Sequence, residues 1–300
     1  MDFLATARSV GIISIVKNKT VKSFWEGNPF TYKGDQGVGY VQVDSMTLEV
    51  FEKIERKLRK HGSHYQAEGA PLYSRIIDYP AGRGKRILDV ATGSGVIAVE
   101  MARQGMHVTA IDLTEWAVSA ARKNFDLREL EGDIRQMDAQ SMSFNSEAFD
   151  MVNAAGCLMH MPETEKAVSE IFRVMKPEAK VTAWLYHKGW YYYFNTLIIR
   201  GILLGGLLKY KFNLTRLTSR YTDGSHDAGN PHTVFYGRGE LERMFKKAGF
   251  RAVQSEILYN PCELDSWPMV KLGFGKYLPE WLRGWIGRRM GLGILVRAEK

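Results

Sequence analysis

Short apolar runs alternate with amphipathic segments through the middle of the chain. The apolar runs have the length of buried strands and lie at 85–91, 107–112, 134–138, 148–155 and 180–187. Apolar residues recur at helical spacing in three segments between them, at 95–104, 114–125 and 163–175. This order predicts an α/β fold in which helices cover both faces of a mostly parallel sheet. Ligands of such sheets bind outside the carboxyl ends of the strands.

The residues ahead of this alternation predict two helices. Apolar side chains at positions 48, 51, 54 and 58 predict an amphipathic helix over 46–60, with basic residues on its other faces. A second, shorter helix is predicted over 70–78. An aromatic segment without strong periodicity, at 17–46, precedes both.

A glycine-rich turn follows the first strand of the alternation. Thr92-Gly93-Ser94-Gly95 separates that strand from a helical segment beginning at Val96. A helix that starts at such a turn directs unpaired backbone N–H groups at a ligand, and glycine lets the ligand approach the backbone closely. Asp112 ends the second strand, where an acid accepts hydrogen bonds from ribose hydroxyls in dinucleotide folds. The pattern predicts a site for an adenosine-type ligand.

The spacing around the turn distinguishes two families of nucleotide-binding proteins. A nicotinamide dehydrogenase carries G-x-G-x-x-G, and its third glycine would fall at Ala98. The spacing Asp89-x-Ala91-x-Gly93-x-Gly95 instead resembles motif I of class I S-adenosylmethionine-dependent methyltransferases, D/E-x-G-x-G-x-G, with Ala91 at the first glycine position. The resemblance runs in order from about 80 to 187. It departs at Lys176-Pro-Glu-Ala-Lys180, where the family usually has Pro-Gly-Gly.

The resemblance implies a fold and a cofactor. The fold would be a Rossmann-like seven-stranded sheet, completed by a helix at 238–248 and strands at 250–259 and 293–299. The cofactor would be S-adenosylmethionine, with S-adenosylhomocysteine as product and no metal. Asp112 is expected at the ribose, Leu113 at the adenine face, and Asp138 with Ala139 at the adenine edge. The residues expected to bind the cofactor are Asp89, Ala91, Thr92, Gly93, Gly95, Asp112, Leu113, Asp138, Ala139 and Ala155.

The resemblance also suggests how the chain is divided. Residues 1–79 are expected to form an N-terminal cap segment with helices, and residues 80–300 the methyltransferase core. An insertion at about 189–236 lies where this family usually builds its substrate lid. The aromatic leader has two interpretations, a flap over the cofactor or substrate and a simple anchor on the core. The residues expected to contact the acceptor are Trp25, Tyr32, Tyr186, Trp190 and His226.

Two histidines are candidates for a catalytic base. His160 lies just past the fourth strand, beside the expected position of the methyl group, and His187 follows the fifth. A base is needed only if the acceptor arrives protonated, as a phenol, carboxylic acid, amine or thiol does. The alternative for His160 is a backbone-bound loop residue or a pocket wall. A cluster of His, Asp and Asn at 223–232 indicates a turn or lid rather than a metal site, because its glycines and proline favour a tight turn.

The composition of the chain indicates its cellular compartment and the kinds of partner it could bind. Two cysteines, Cys157 and Cys262, give neither a disulfide framework nor a metal spacing, so a cytoplasmic protein is expected. The net charge of +8 suggests acidic partners, but no motif indicates nucleic acid. The apolar run at 197–208 is shorter than the roughly 20 residues that span a bilayer, yet it is able to lie on one. Nothing in the sequence indicates the oligomeric state.

These features predict methyl transfer by in-line displacement to a small organic acceptor, at oxygen, nitrogen, sulfur or carbon. A membrane-associated quinone or lipid methyltransferase is the alternative within the class, and the stretch from Val90 to Gly93 and the basic residues at 271–300 favour it. A hydrophobic acceptor and peripheral membrane contact would follow. A nicotinamide dehydrogenase and a non-catalytic nucleotide-binding protein are the alternatives from other classes.

Overall fold

One sheet of seven strands organises the fold in the computed structural model, which describes residues 19–29, 41–62, 65–189, 191–221, 230–258 and 279–300. The strands are β1 (Arg86–Val90), β2 (His107–Asp112), β3 (Asp133–Gln136), β4 (Phe149–Ala155), β5 (Met175–Tyr186), β6 (Arg251–Leu258) and β7 (Gly293–Glu299). Their order across the sheet is β3-β2-β1-β4-β5-β7-β6. Only β7 runs antiparallel to its neighbours, β5 and β6. The predicted seven-stranded, mostly parallel sheet is confirmed.

Helices connect the strands. A leader helix covers residues 19–27, and two 3-10 turns cover Val43–Ser45 and Leu158–His160. A π-helix covers Tyr191–Leu203. The numbered helices are α1 (Leu48–His61), α2 (Tyr79–Gly82), α3 (Val96–Arg103), α4 (Glu115–Asp126), α5 (Thr164–Val174), α6 (Gly206–Lys209), α7 (Leu214–Tyr221), α8 (Arg238–Ala248) and α9 (Glu280–Met290).

The core lies on both faces of the sheet, because strand side chains alternate between the faces. Ile87 of β1 packs on the face covered by α3 and α4, in a cluster that includes Val99 and Phe125. Leu88, the next residue, packs on the face covered by α5 and α8, where Ile171 and Phe245 lie. All six side chains are almost completely buried. Full burial of such side chains stabilises a fold by about 1.5–3 kcal/mol each.

The strand order reverses beside β1, whose neighbours are β2 on one side and β4 on the other. In the register of the sheet, Asp89 of β1 lies opposite Asn153 of β4, and Asp112 of β2 lies opposite Gln136 of β3. A reversal of this kind leaves a crevice outside the carboxyl ends of the strands. The acidic residues singled out from the sequence lie on both sides of it.

The N-terminal elements pack on the helices that flank this crevice. Phe51 and Ile54 of α1 are fully buried against Val96, Trp116 and Ala117 at the first turns of α3 and α4. Leu58 of the predicted apolar stripe is partly buried beside them, whereas Leu48, at the start of α1, is exposed. The proposed division into a cap at 1–79 and a core at 80–300 stays a prediction.

Two local predictions are corrected. The helix predicted over 70–78 is a series of turns, because Tyr73 has a left-handed backbone (φ +59°) that interrupts helical geometry. The short helix there is α2, in which Asp78 Oδ1 accepts a hydrogen bond from Ala81 N at 3.1 Å. The last strand before the insertion begins at Met175 rather than at 180, since Met175 already pairs with Phe149 of β4.

The insertion after β5 is helical over much of its described length, with the π-helix followed by α6 and α7. The helices among the described residues include none with the length and apolar character needed to cross a membrane. Three residues singled out from the sequence, Tyr32, Trp190 and His226, lie outside the described residues.

Candidate active site

The turn between β1 and α3 has a backbone conformation that favours glycine. The φ angle is +58° at Ala91, +56° at Gly93 and +75° at Gly95. A Cβ on Gly95 would lie 2.8 Å from Ala121 Cβ of α4, whereas a Cβ on Gly93 would meet nothing within 4 Å. Ala91 adopts this conformation despite its side chain, at a cost of roughly 1–2 kcal/mol. The open space beside Gly93 lets a ligand lie against the backbone.

Asp89 lies beneath this turn. Its side chain is buried, and Asn153 Nδ2 donates a hydrogen bond to Asp89 Oδ1 at 2.7 Å. Burial raises the pKa of Asp89 from 3.8 to about 6, although the bond from Asn153 lowers it. Asp89 therefore ties β1 to β4 below the turn, and its carboxylate is a buried charge at neutral pH.

Asp112 ties the tip of β2 to the turn. Its Oδ2 accepts a hydrogen bond from Gly93 N at 3.1 Å, and its Oδ1 accepts from Thr114 N at 2.9 Å and from Thr114 Oγ1 at 2.8 Å. Burial raises the pKa of Asp112, and these hydrogen bonds lower it. An ionised carboxylate has about four acceptor positions, so a ligand's hydroxyl groups are able to donate to Asp112 as well.

Asp138 lies past the end of β3 and belongs to a second polar link. Gln140 donates to Asp138 Oδ1 from its backbone N at 2.9 Å and from Nε2 at 3.0 Å. The Oε1 atom of the same glutamine accepts a hydrogen bond from Glu163 N at 2.8 Å. Gln140 therefore joins the Asp138 loop to the start of α5, and it is itself buried.

A cavity of about 500 Å³ joins these strand ends to an aromatic wall. Its size is within the range of roughly 300–1,000 Å³ that is usual for small-molecule sites. The residues of the strand ends that line it are Ala91, Thr92, Gly93, Asp112, Leu113, Asp138, Ala139 and Ala155. The aromatic residues that line it are Trp25, Tyr65, Tyr73, Trp116, Trp184 and Tyr186, together with the ring of His160.

His160 closes the 3-10 turn after β4 and is 8% exposed. Its Nδ1 atom lies 3.1 Å from His232 O and 3.2 Å from Thr233 Oγ1. The ring makes edge-on contacts with Trp25, at a centroid distance of 5.4 Å, and with Tyr186, at 6.0 Å. The imidazole is therefore fixed between the leader helix, β5 and the end of the insertion.

The leader helix is bound to α4 through Glu26. One carboxylate oxygen accepts a hydrogen bond from Glu115 N at 2.9 Å, and the other accepts from Trp116 N at 2.7 Å. An acidic group at a helix N-terminus satisfies unpaired N–H groups and interacts favourably with the helix dipole. Glu26 therefore places the neighbouring Trp25 over the cavity.

His187, the second candidate base, lies outside the cavity. Its ring is buried, its Nδ1 lies 2.9 Å from Gly291 O, and it does not belong to the lining of the cavity. Burial lowers the pKa of His187, so the imidazole is neutral at pH 7. The structure does not bring the second candidate base to the site.

Comparison with known proteins shows which proteins this chain resembles. Residues 88–183 match the family model of the methyltransferase domain. The ubiquinone biosynthesis O-methyltransferase of Hahella chejuensis is 32% identical over 141 residues, which cover 46% of this chain and 59% of that protein. The protein of the same name from Stutzerimonas stutzeri is 30% identical over 143 residues, which cover 46% and 62%. Over residues 88–183 the chain is therefore similar to methyltransferases, in agreement with the resemblance of the glycine turn to motif I.

The sequence relatives and the solved structures support this similarity to different extents. The aligned region spans about six-tenths of the length of these curated relatives. A methyltransferase from Methanosarcina mazei superposes with a TM-score of 0.50 at 19% identity, covering 77% of this chain and 99% of that one. A chain of the complex between the Haloferax volcanii Trm112 methyltransferase activator and a methyltransferase gives 0.53 at 14% identity, covering 83% and 92%. At such identities the two structures support the fold alone.

The cavity is lined by most of the residues that were expected to bind the cofactor. The exceptions are Asp89, which lies below the turn, and Gly95, whose place against α4 lets α3 and α4 approach closely. Trp25, Tyr186 and His160 line the same cavity, so the structure brings them to the expected cofactor residues. The roles assigned to all these residues stay predictions.

Sequence reasoning missed several residues of the site. Gln140, Glu26 and Thr233 make polar links whose partners are far away in sequence, and no local motif marks them. Tyr73 lines the cavity from the turns that replace the predicted second helix, and Tyr65 lines it from just before them. Among the described residues, no group of three or more His, Cys, Asp or Glu side chains is arranged to hold a metal ion.

Proposed function

We propose that this chain transfers a methyl group from S-adenosylmethionine to a small organic acceptor. The observation that carries the proposal is one cavity lined both by the strand ends around the glycine turn and by the His160 ring with its aromatic neighbours. The first set of residues is suited to a nucleoside with a charged tail, and the second to an uncharged organic molecule. Methyl transfer requires these two ligands to meet in one enclosed space.

The strand ends would hold the cofactor, which supplies a methyl group on a positively charged sulfur. The backbone at Ala91, Thr92 and Gly93 borders the cavity and suits the methionine part, because a ligand can lie against Gly93 without meeting a side chain. Asp112 would accept hydrogen bonds from the ribose, as acids at the tip of the second strand do. Leu113, Asp138, Ala139 and Ala155 would surround the adenine, with Gly95 and Asp89 supporting the turn from behind.

The rest of the cavity would align the acceptor. In an in-line displacement the acceptor atom forms a bond to the methyl carbon while the carbon–sulfur bond breaks and its electron pair stays on sulfur. Alignment of this kind can supply roughly 7–11 kcal/mol. Trp25, Tyr186 and Trp184 would hold an organic acceptor and exclude water. Tyr32, Trp190 and His226 stay candidates for acceptor contact on sequence grounds.

His160 would act as the general base for an acceptor that arrives protonated. It lines the cavity just past the end of β4, and it is held in place from three sides. It would take the proton of a phenol, carboxylic acid, amine or thiol as the new bond to carbon forms. A carbon or sulfur acceptor without such a proton would use the ring only as a wall.

The test is cofactor binding followed by transfer. We expect S-adenosylhomocysteine to bind in isothermal titration calorimetry, and label from methyl-labelled S-adenosylmethionine to enter a small-molecule fraction of a cell extract. Binding of NADH without S-adenosylhomocysteine would instead support a dehydrogenase. Tight binding of S-adenosylhomocysteine with no label in any fraction would support a non-catalytic nucleotide-binding protein.

Within this proposal we favour a hydrophobic acceptor, of quinone or lipid type, and peripheral contact with a membrane. Large apolar side chains are exposed along the insertion, in what we term the apolar patch: Ile202, Leu203, Leu204, Leu208 and Phe212, each 61–71% exposed. The segment 191–221 that carries them contains five basic residues and no acidic ones. Exposed apolar side chains beside basic ones bind anionic bilayers, at about 1 kcal/mol for each Lys or Arg near the surface. The names of the curated relatives, which refer to ubiquinone biosynthesis, agree with such an acceptor.

Vesicle binding tests this contact. We expect the protein to sediment with vesicles of phosphatidylcholine and phosphatidylserine, and less with phosphatidylcholine alone. The double variant Leu203→Ser/Leu208→Ser should reduce sedimentation severalfold. Leu127→Ser, at an exposed leucine outside the apolar patch, is the matched control. Equal sedimentation of the wild type and the double variant would remove the apolar patch from the proposal, and label entering only water-soluble compounds would remove the hydrophobic acceptor.

A further inference from the structure

We propose that Thr233 and Asn230 are positioning residues that hold the His160 imidazole in the tautomer with its proton on Nδ1. The role of this tautomer rests on the proposed function, in which Nε2 is the nitrogen that receives a proton from the acceptor. Both positioning residues lie where the insertion returns to the sheet. They are therefore separated from His160 by about seventy residues of chain.

The partners of Nδ1 determine which ring nitrogen carries the proton. Nδ1 lies 3.1 Å from His232 O, and a backbone carbonyl only accepts hydrogen bonds. Nδ1 must therefore be the donor in this contact. In the neutral ring the other nitrogen, Nε2, is then the basic one.

Asn230 fixes the direction of the second contact. Its Oδ1 accepts hydrogen bonds from His232 N at 3.1 Å and from Thr233 Oγ1 at 2.7 Å. The backbone donor requires an oxygen at that position, which determines how the Asn230 amide is turned. Because the Thr233 hydroxyl proton points to Asn230, its lone pairs face Nδ1 at 3.2 Å. The hydroxyl is thus a second acceptor for the same Nδ1 proton.

The surrounding structure makes this arrangement rigid. Thr233 is 1% exposed and Asn230 is 3% exposed. Val234 N donates to Met159 O at 3.0 Å, which ties the segment to the 3-10 turn carrying His160. Trp25 and Tyr186 contact the imidazole ring edge-on. A half-turn of the ring would place Nδ1 away from both acceptors, so the packing and the hydrogen bonds favour one orientation.

This orientation of the ring determines which nitrogen receives the proton of the acceptor. An acceptor O–H or N–H would transfer its proton to Nε2 while its electron pair forms the bond to the methyl carbon. The resulting imidazolium keeps its Nδ1–H bond to His232 O and later releases the Nε2 proton to solvent. Thr233 and Asn230 touch neither substrate nor cofactor in this scheme, and they act through His160 alone.

Nuclear magnetic resonance of histidine-labelled protein tests the tautomer directly. Long-range correlations between ring carbon-bound protons and ¹⁵N distinguish the two neutral forms, and the variant His160→Gln assigns the signal. We expect the Nδ1–H form in the wild type. Asn230→Ala frees the Thr233 hydroxyl to donate to Nδ1, so the Nε2–H form should increase, whereas Asn230→Asp keeps the acceptor and should preserve the Nδ1–H form. A wild-type signal from the Nε2–H form, or a tautomer unchanged in Asn230→Ala, would overturn the proposal.

Turnover gives the second measurement. With methyl-labelled S-adenosylmethionine and the extract fraction that takes up label, Thr233→Val should lower the rate about tenfold, a part of the 10²–10⁴-fold effect of a general base. Thr233→Ser should restore the rate to within about twofold of the wild type. Affinity for S-adenosylhomocysteine should stay the same in both variants. The control Thr109→Val, at a buried threonine of β2 outside the cavity lining, should leave the rate unchanged.

The two measurements separate the failure of this inference from the failure of the proposed function. The expected tautomers without label in any fraction would contradict the proposed function and leave the positioning of His160 intact. Label transfer with equal rates in the wild type and Thr233→Val would contradict the positioning role alone.

Discussion

The two halves of the cavity are built in different ways. The strand-end half takes its residues from one stretch of the chain, from the turn after β1 to the end of β4, and backbone geometry shapes its glycine turn. The aromatic half takes Trp25 from the leader helix, His160 from the turn after β4 and Tyr186 from the end of β5. Side-chain contacts between distant segments hold this second half together. The strand-end half therefore depends mainly on local backbone geometry, whereas the aromatic half depends on how separate elements pack.

The largest expected effect comes from breaking the backbone of the strand-end half. Gly95→Ala would add a Cβ 2.8 Å from Ala121 Cβ and 2.9 Å from its Cα, at a φ of +75°. Backbone strain and overpacking together should lower the free energy of unfolding by about 2–5 kcal/mol. Denaturation in urea measures this loss.

Gly93→Ala is the matched control for this substitution. Gly93 also has a positive φ, but its added Cβ would meet nothing within 4 Å. Only the backbone strain remains, at about 1–2 kcal/mol. Equal losses of stability in the two variants would show that the approach of α4 to the turn does not matter.

The next effect concerns the buried carboxylate below the turn. The pKa of Asp89 is raised from 3.8 to about 6. Between pH 3.8 and pH 6, Asp89 is therefore protonated in the native protein and ionised in the unfolded chain. The contribution of Asp89 to the free energy of unfolding therefore falls as the pH rises. The loss is about 3 kcal/mol at pH 7.5 and roughly half of that at pH 5. Asp89→Asn should remove this cost while Asn153 still finds an acceptor.

Urea denaturation of wild type and variant at the two pH values measures the difference. We expect the advantage of Asp89→Asn to be larger at pH 7.5 than at pH 5. The comparison between proteins at each pH cancels the titration of other groups. An advantage that is independent of pH would mean that Asp89 does not titrate in this range.

Cofactor affinity tests the tip of β2. Asp112→Ala should weaken binding of S-adenosylhomocysteine by about 1.5–3 kcal/mol, the scale of hydrogen bonds to a charged group. Calorimetry measures the affinity, and Asp126→Ala, at an exposed aspartate near the other end of α4, is the control. If both variants bind with wild-type affinity, Asp112 is not part of the cofactor site.

The smallest expected effect concerns the assembled half. Glu26→Ala removes both acceptors at the N-terminus of α4 and should weaken docking of the leader helix by about 1 kcal/mol. Local opening should then become about fivefold more frequent, and tryptic cleavage after Lys22 should speed up by the same factor. Glu68→Ala, at an exposed glutamate, is the control. Cleavage at the wild-type rate would separate Glu26 from the docking of the leader.

The sequence predicts the features of this fold that depend on neighbouring residues. The order of strands and helices and the tips at Asp112 and Asp138 follow from apolar periodicity and from short spacings, which act within a few residues. The helix predicted over 70–78 failed because the left-handed Tyr73 leaves no sign in the pattern of apolar residues. His160 and His187 looked alike as residues that follow a strand, and the structure brings only His160 to the cavity.

The sequence by itself determined the order of the strands, the glycine turn and the resemblance to methyltransferases, because each depends on residues that are close together in the chain. Only the tertiary structure decided what surrounds His160. Its partners Trp25, Tyr186 and Thr233 come from three other segments of the chain, and no local periodicity encodes their meeting. The same is true of Glu26, whose partners on α4 lie about ninety residues away. Contacts of this kind depend on how whole elements pack, and that is decided by the free energy of the entire fold.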